Sequence, residues 1–213
     1  MTRYSKHHDE YPYLKQYSMI RTLQRISLLY TTAQRRNPIL IQSATSGIVA
    51  SVGDLSMQTC EGRGLGNYDL ARTARMGLFR LAIFGPGYSI WIKQLDKFVK
   101  MSTPSRTVAT KIMCDQFIWA PPALGVFYTW TCVTEGKTLQ EGFQRVKSTL
   151  YPTLLVNWPV WCTVQMVTFS IIPTHFRVAW VSFIQVFWSA YLSGMNEQAR
   201  NQEDHISNHR SIG

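Results

Sequence analysis

Apolar residues crowd between positions 38 and 195, and polar residues hold both ends of the chain. Near the start, Leu14, Tyr17, Ile20, Leu23, Ile26 and Tyr30 recur at helical spacing, with Arg21 and Arg25 on other faces. That spacing predicts an amphipathic helix over 14–36. Such a helix packs on protein or lies on an anionic bilayer surface, and the pattern leaves both open. Further on, five segments approach the ~20 residues that a bilayer crossing needs. They are 37–58, 75–98, 111–133, about 152–172, and 178–195. In the first, Ser43, Gly47 and Ser51 recur at every fourth position, a ridge of small residues that lets helix backbones approach. Gly85-Pro86-Gly87 breaks the second segment and Pro121-Pro122 interrupts the third. Neighbouring helices in a bundle can satisfy the carbonyls that such breaks free. None of the five is purely apolar, so a soluble all-α bundle is the competing arrangement.

Composition favours the membrane. Only 16% of residues are charged, against about a quarter in soluble domains. Seven tryptophans are present, several near segment ends, where an interfacial aromatic belt would place them. The mean hydropathy of −0.09 averages polar ends with an apolar middle. The organisation expected is a basic N-terminal extension over 1–37, a bundle of four to five spans over 38–195, and a polar C-terminal tail over 196–213. The tail should be disordered by itself, so an ordered tail would point to a partner subunit.

The net charge of +10 does not indicate nucleic acid, because the basic residues sit at segment edges and form no single stripe. If all five segments cross, the side holding the N-terminus and the 92–111 loop carries thirteen Lys and Arg, against eight opposite. The positive-inside rule makes that the cytoplasm-like side, which is the matrix in a mitochondrion. Anionic lipid such as cardiolipin is the partner expected there.

Chemistry of the enzymatic kind is not visible. Cys60, Cys114, Cys132 and Cys162 form no metal spacing, and His175 is the only histidine near a span. No catalytic, metal or cofactor residues are expected. The glycines of EGRGLGNY, 61–68, lack the Lys-Ser/Thr of a phosphate loop and read as a connector. The functional signal is the polar residues inside spans, which are expensive there and face a bundle interior or a wet cavity. Asp54 and Arg80 reach similar depth and form the expected ion pair, with Arg75 as the substitute. Asp115 lies at the depth of Lys93 or Lys97. Gln116 and Gln165 are further intramembrane candidates. These groups hold the bundle together or line a solute path.

The order of the motifs resembles a known family. GDLSMQ carries Gly53 and Asp54, and DLARTARMG carries Arg72. GPGYSIWIKQLDKF supplies Gly85, Pro86, Trp91 and Asp96, and KIMCDQFIWAPP supplies Asp115 and Gln116. NWPVWCTVQMVTFSIIPTHFR holds Trp161, Gln165, Phe169, Pro173 and Arg177. WSAYLS closes the series with Trp188, Tyr191, Leu192 and Ser193. This resembles the family of the 22-kDa peroxisomal membrane protein and its mitochondrial inner-membrane relative, Mpv-seventeen. The resemblance implies a small membrane helix bundle without enzymatic activity. It lies in the mitochondrial inner membrane, with the peroxisomal membrane as the alternative. It implies that the fourth span ends at Pro173 at the interface. Some members are regarded as weakly selective channels for small solutes. The chain departs from the family at Cys162, where proline is usual, at Thr168 and at Ser89. Arg80 stands where a small residue is usual, which should narrow a channel or rewire its charge. The resulting expectation is an accessory subunit of a larger respiratory-chain or ATP synthase type assembly, with a solute channel as the alternative.

Overall fold

The computed structural model describes residues 12–64, 66–172 and 177–212, and their regular structure is entirely helical. Two compact units divide the chain at Ile41. The first is dominated by α1 (Pro12–Arg36), the helix expected there. Tyr17, Ile20 and Tyr30 are exposed on it, as are Met19, Leu28 and Leu29. Arg21, expected on another face, reaches back one turn to Tyr17: its guanidinium sits 4.7 Å from the ring and donates to the hydroxyl at 3.2 Å. The side chains of Leu14, Leu23 and Ile26 lie outside the described residues.

The second unit is a helix bundle. Its helices are α2 (Pro38–Cys60), α3 (Leu70–Phe79), α4 (Gly85–Phe98), α5 (Pro104–Cys114), α6 (Ala120–Thr134), α7 (Leu139–Ser170) and α8 (Arg177–Ile212). Local chemistry sets several starts. The Asp69 carboxylate accepts from the Arg72 amide and caps α3. Thr138 and Glu141 form a reciprocal capping box at α7. After α2, Gly62 takes a left-handed φ of 81°, which ends the helix and turns the glycine-rich connector away.

The proline breaks do not open the helices. Five-residue π turns, Arg80–Phe84 and Asp115–Trp119, join α3 to α4 and α5 to α6. Each closes with an amide bonding five residues back, Gly85 to Arg80 and Ala120 to Asp115. Pro86 and Pro121 follow immediately. Proline has no N–H and its ring crowds the carbonyl four residues earlier, so a widened turn is the geometry that keeps the chain helical.

Met76, Phe79, Leu124, Phe127, Tyr128, Leu154, Trp188 and Leu192 form the apolar core, contributed by α3, α6, α7 and α8. The tryptophans turn inward instead of forming a belt, and none of the seven is exposed. Their indoles find partners between helices: Trp91 donates to Asp115, Trp130 to the Arg75 carbonyl and Trp158 to the Gln116 carbonyl.

Among the described residues, no helix is long and apolar enough to cross a membrane. The expected segments are helical, but buried polar side chains punctuate them, and the π turns divide two of them. The polar tail is also corrected. It continues α8 to Ile212, and Ala199 is buried on it. Pro173, the expected stop of the fourth segment, lies outside the described residues, as do the side chains of Phe169 and Arg177.

The small-residue ridge of α2 lies against α3, its π turn and α4. A Cβ on Gly85 would meet the Ser43 Cα at 2.7 Å, and one on Gly77 would meet only the Ser51 hydroxyl, at 2.5 Å. Gly85→Ala is therefore expected to destabilise by about 1–3 kcal/mol and to resist rescue by Ser43→Gly, because backbone is in the way. Gly77→Ala should be rescued by Ser51→Gly. Melting temperatures of the four variants in mild detergent check both statements.

Candidate functional site

Two buried ionic clusters and one cavity account for the polar residues inside the bundle. The first cluster forms around Asp54, fully buried on α2. Its carboxylate lies 2.9 Å from Arg72 Nε, accepts from Thr73 at 2.5 Å and from Gln58 at 2.8 Å, and takes the Ser193 hydroxyl hydrogen bond from α8. The Arg72 guanidinium grips Glu61 at 2.8 and 2.9 Å, and Glu197 lies 3.5 Å away. Burial lowers the pKa of Arg72, but the Glu61 hydrogen bonds and the Asp54 charge outweigh it and keep the group firmly protonated.

The expected Asp54–Arg80 pair is thus absent, and Arg75 is not the substitute. Arg75 lies 3.9 Å from Asp69 instead. The cause is the start of α3. It begins at Leu70, not at Arg75, so Arg72 is helical and faces Asp54. Arg80 sits eight residues on, about 12 Å along the helix axis.

The second cluster lies at the same end of the bundle. Arg145 of α7 is 1% exposed. It lies 2.7 Å from Glu135, donates to Glu203 at 2.8 and 2.7 Å, and donates to Asn196 at 3.1 Å. Lys137 adds a 2.8 Å bond to Glu203. The C-terminal half of α8 is therefore fastened by contacts within its own chain. Neither Arg145 nor Glu203 was expected from sequence, although Asn196, Ala199 and Glu203 at helical spacing already marked one face.

The second cluster makes stability pH-dependent. Burial raises the pKa of Glu203, but the hydrogen bonds from Arg145 and Lys137 dominate and hold it below its ordinary 4.5. Its stabilising contribution is complete above 4.5 and disappears as pH falls through the lowered value. Lys137 is raised above its ordinary 10.5: burial lowers it, and the bonds to Glu203 and Asp204 more than compensate. Its contribution is lost only as pH rises through that raised value. The melting temperature in detergent is expected to drop as pH falls below 4.5 in the wild type, and to drop less in Glu203→Gln.

The cavity occupies the other part of the bundle, with a volume of about 370 Å³. Phe79, Phe127 and Leu192 line it on the side of the first cluster. Among the described lining residues only Asp96 is exposed, and it accepts from Lys111 at 2.6 Å. Both π turns open on a residue of the cavity, Arg80 and Asp115, which fits the frequent use of such turns at functional sites.

Asp115 meets no lysine in an ion pair among the described residues. Its oxygens accept from Trp91 at 3.3 Å and Gln116 at 3.1 Å. Lys93 is exposed and Lys97 lies over the Phe98 ring at 5.2 Å, which corrects the expected partners. Gln116 in turn accepts from Asn157 at 2.7 Å. Gln165 also lines the cavity. Arg80 sits 4.2 Å from the Phe84 ring, and the Gln185 amide oxygen, in the orientation that satisfies both groups, accepts from it at 3.0 and 2.6 Å.

Most residues of the recognised motifs fall in these three places. Arg72 and Ser193 belong to the first cluster, and Asp96, Trp161, Trp188 and Leu192 line the cavity. Tyr191 packs on Trp188, and Trp188 on Trp161, with centroids 5.1 and 6.1 Å apart. Gly53 holds α2 tight to α8, where a Cβ would meet Ser189 Cβ at 2.6 Å. Pro86 follows the first π turn.

Comparison with known proteins matches residues 132–193 to the Mpv17 / PMP22 family. Protein sym-1 of Neurospora crassa is 36% identical over 171 residues, spanning 79% of this chain and 98% of that protein. Protein SYM1 of Gibberella zeae is 35% identical over 171 residues, 79% and 96% of the two chains. The mitochondrial inner membrane protein Mpv17 of Danio rerio is 35% identical over 165 residues, 77% and 93% of the two chains. No solved structure matches.

Proposed function

Because the chain belongs to the Mpv17 / PMP22 family, we propose that it is a non-enzymatic, multi-pass bundle that passes small solutes through its cavity. Its membrane is the mitochondrial inner membrane, the one named for the zebrafish relative.

Immersion in lipid is supported by the inverted distribution of side chains. In the 42–213 unit, polar side chains outnumber apolar ones among the buried, while Ile48, Leu78, Ile118, Met166, Phe183 and Phe187 are each at least half exposed. Water would penalise that surface and lipid does not. The basic 92–111 loop would then meet anionic lipid at the cavity mouth.

One observation carries the passage reading: an interior cavity with Arg80, Asp115 and four amides on its walls and the exposed Asp96 at its rim. Permeation needs polar groups that offset the loss of hydration inside the membrane. An accessory-subunit role drew on the departures from the family, Arg80 among them, and on the C-terminal stretch, for which Arg145 and Lys137 supply contacts from within the chain. The test is reconstitution of purified protein in planar bilayers and liposomes. Voltage-dependent conductance and release of an entrapped small solute are expected. Silent bilayers, with the 24.5 kDa chain co-migrating with a large assembly on native electrophoresis, would favour the subunit instead.

A further inference from the structure

Arg80 is only 6% exposed, yet among the described residues no carboxylate lies within ion-pair distance of it. The Gln185 amide and the Phe84 ring offset part of the cost of burying its charge, but both are neutral. Asp115 shares the cavity but is held by Trp91 and Gln116. Trp119 lines the same cavity, and its indole N–H has no partner among the described groups. A full positive charge without a counter-ion therefore borders this aromatic space.

We propose that this cavity binds a small organic monocarboxylate, its carboxylate paired with Arg80 and its apolar body lying among Phe84, Trp119, Trp161 and Trp188. The guanidinium fork matches a carboxylate in two parallel bonds. The remaining lining is mainly aromatic and aliphatic, which selects an apolar body. A second negative charge on the ligand finds no second cation inside, because Lys111 is bonded to Asp96 at the mouth. It would also face Asp115, so dianions are disfavoured. The inference deepens the passage reading and rests on it for access from solvent.

The probes are hexanoate, its neutral isostere hexanamide, and inorganic phosphate, added to the full chain in phosphatidylcholine nanodiscs. Binding is read by calorimetry and by tryptophan fluorescence, with empty nanodiscs subtracted. Hexanoate is expected to saturate, with hexanamide and phosphate weaker by about tenfold or more. Arg80→Gln should lose a similar factor while its melting curve stays close to the wild type. Hexanamide or phosphate binding as tightly as hexanoate overturns the proposal, and so does unchanged binding in Arg80→Gln. Hexanoate bound on Arg80 without protein-dependent solute release overturns passage but leaves the site. Solute release with hexanoate indifferent to Arg80 does the reverse.

Discussion

Arg72→Leu is expected to cost about 3–5 kcal/mol, the scale for removing one partner from a buried ion pair. The size follows from what the guanidinium leaves behind. Asp54 is fully buried, and Glu61 and Glu197 lose their shared cation in the same place. Ser193 loses the donor that fixes its hydroxyl between Arg72 and Asp54. A double-mutant cycle separates this pairing from the one expected by depth alone. Asp54→Asn combined with Arg72→Leu should be much less damaged than the sum of the single changes. Asp54→Asn combined with Arg80→Leu should be additive, since the two residues belong to different sites. Thermal unfolding in mild detergent of the wild type, three singles and two doubles gives all the terms. Additivity in the Arg72 pair, or coupling in the Arg80 pair, would contradict the arrangement.

Arg145→Met should be comparably severe, about 3 kcal/mol or more. Its charge is buried, and three partners on two elements depend on it: Glu135 before α7, and Asn196 and Glu203 on α8. The damage should appear first at the C-terminal half of α8. Limited proteolysis is expected to cut after Arg200 in Arg145→Met and to leave the wild type intact there. Arg145→Lys should recover little, because an ammonium cannot reproduce the two parallel bonds to Glu203. Protection of Arg200 in Arg145→Met would show that apolar contacts alone hold α8.

Much of the bundle was legible because helical periodicity and small-residue spacing survive without knowledge of partners. Ser43, Gly47 and Ser51 mark a packed face in sequence and in space. Charge pairing was legible only in part. Depth along a helix follows from residue counting, but direction around it does not. Asp69 is an N-cap signal, and taking it as one would have started α3 early enough to make Arg72 helical. The π turn adds a residue to its helix and shifts the phase of everything after Arg80, which no periodic template contains. The Arg145–Glu203 bond joins residues 58 apart and could not be read from local pattern. The polar stretch that suggested disorder was polar because it meets a buried arginine.

The burial of the Asp54–Arg72 cluster inside the bundle has a kinetic consequence for the proposed passage. If the proposed passage runs the length of the bundle, a solute leaving at the end held by this cluster waits until its buried ion pairs part. At about 3–5 kcal/mol for such a pair, the parted state occupies between roughly one part in a hundred and one part in several thousand of the time. Under the proposed passage reading, traffic would come in brief bursts separated by long silences, and average flux would be set by the duty cycle of a salt bridge and not by the width of the cavity.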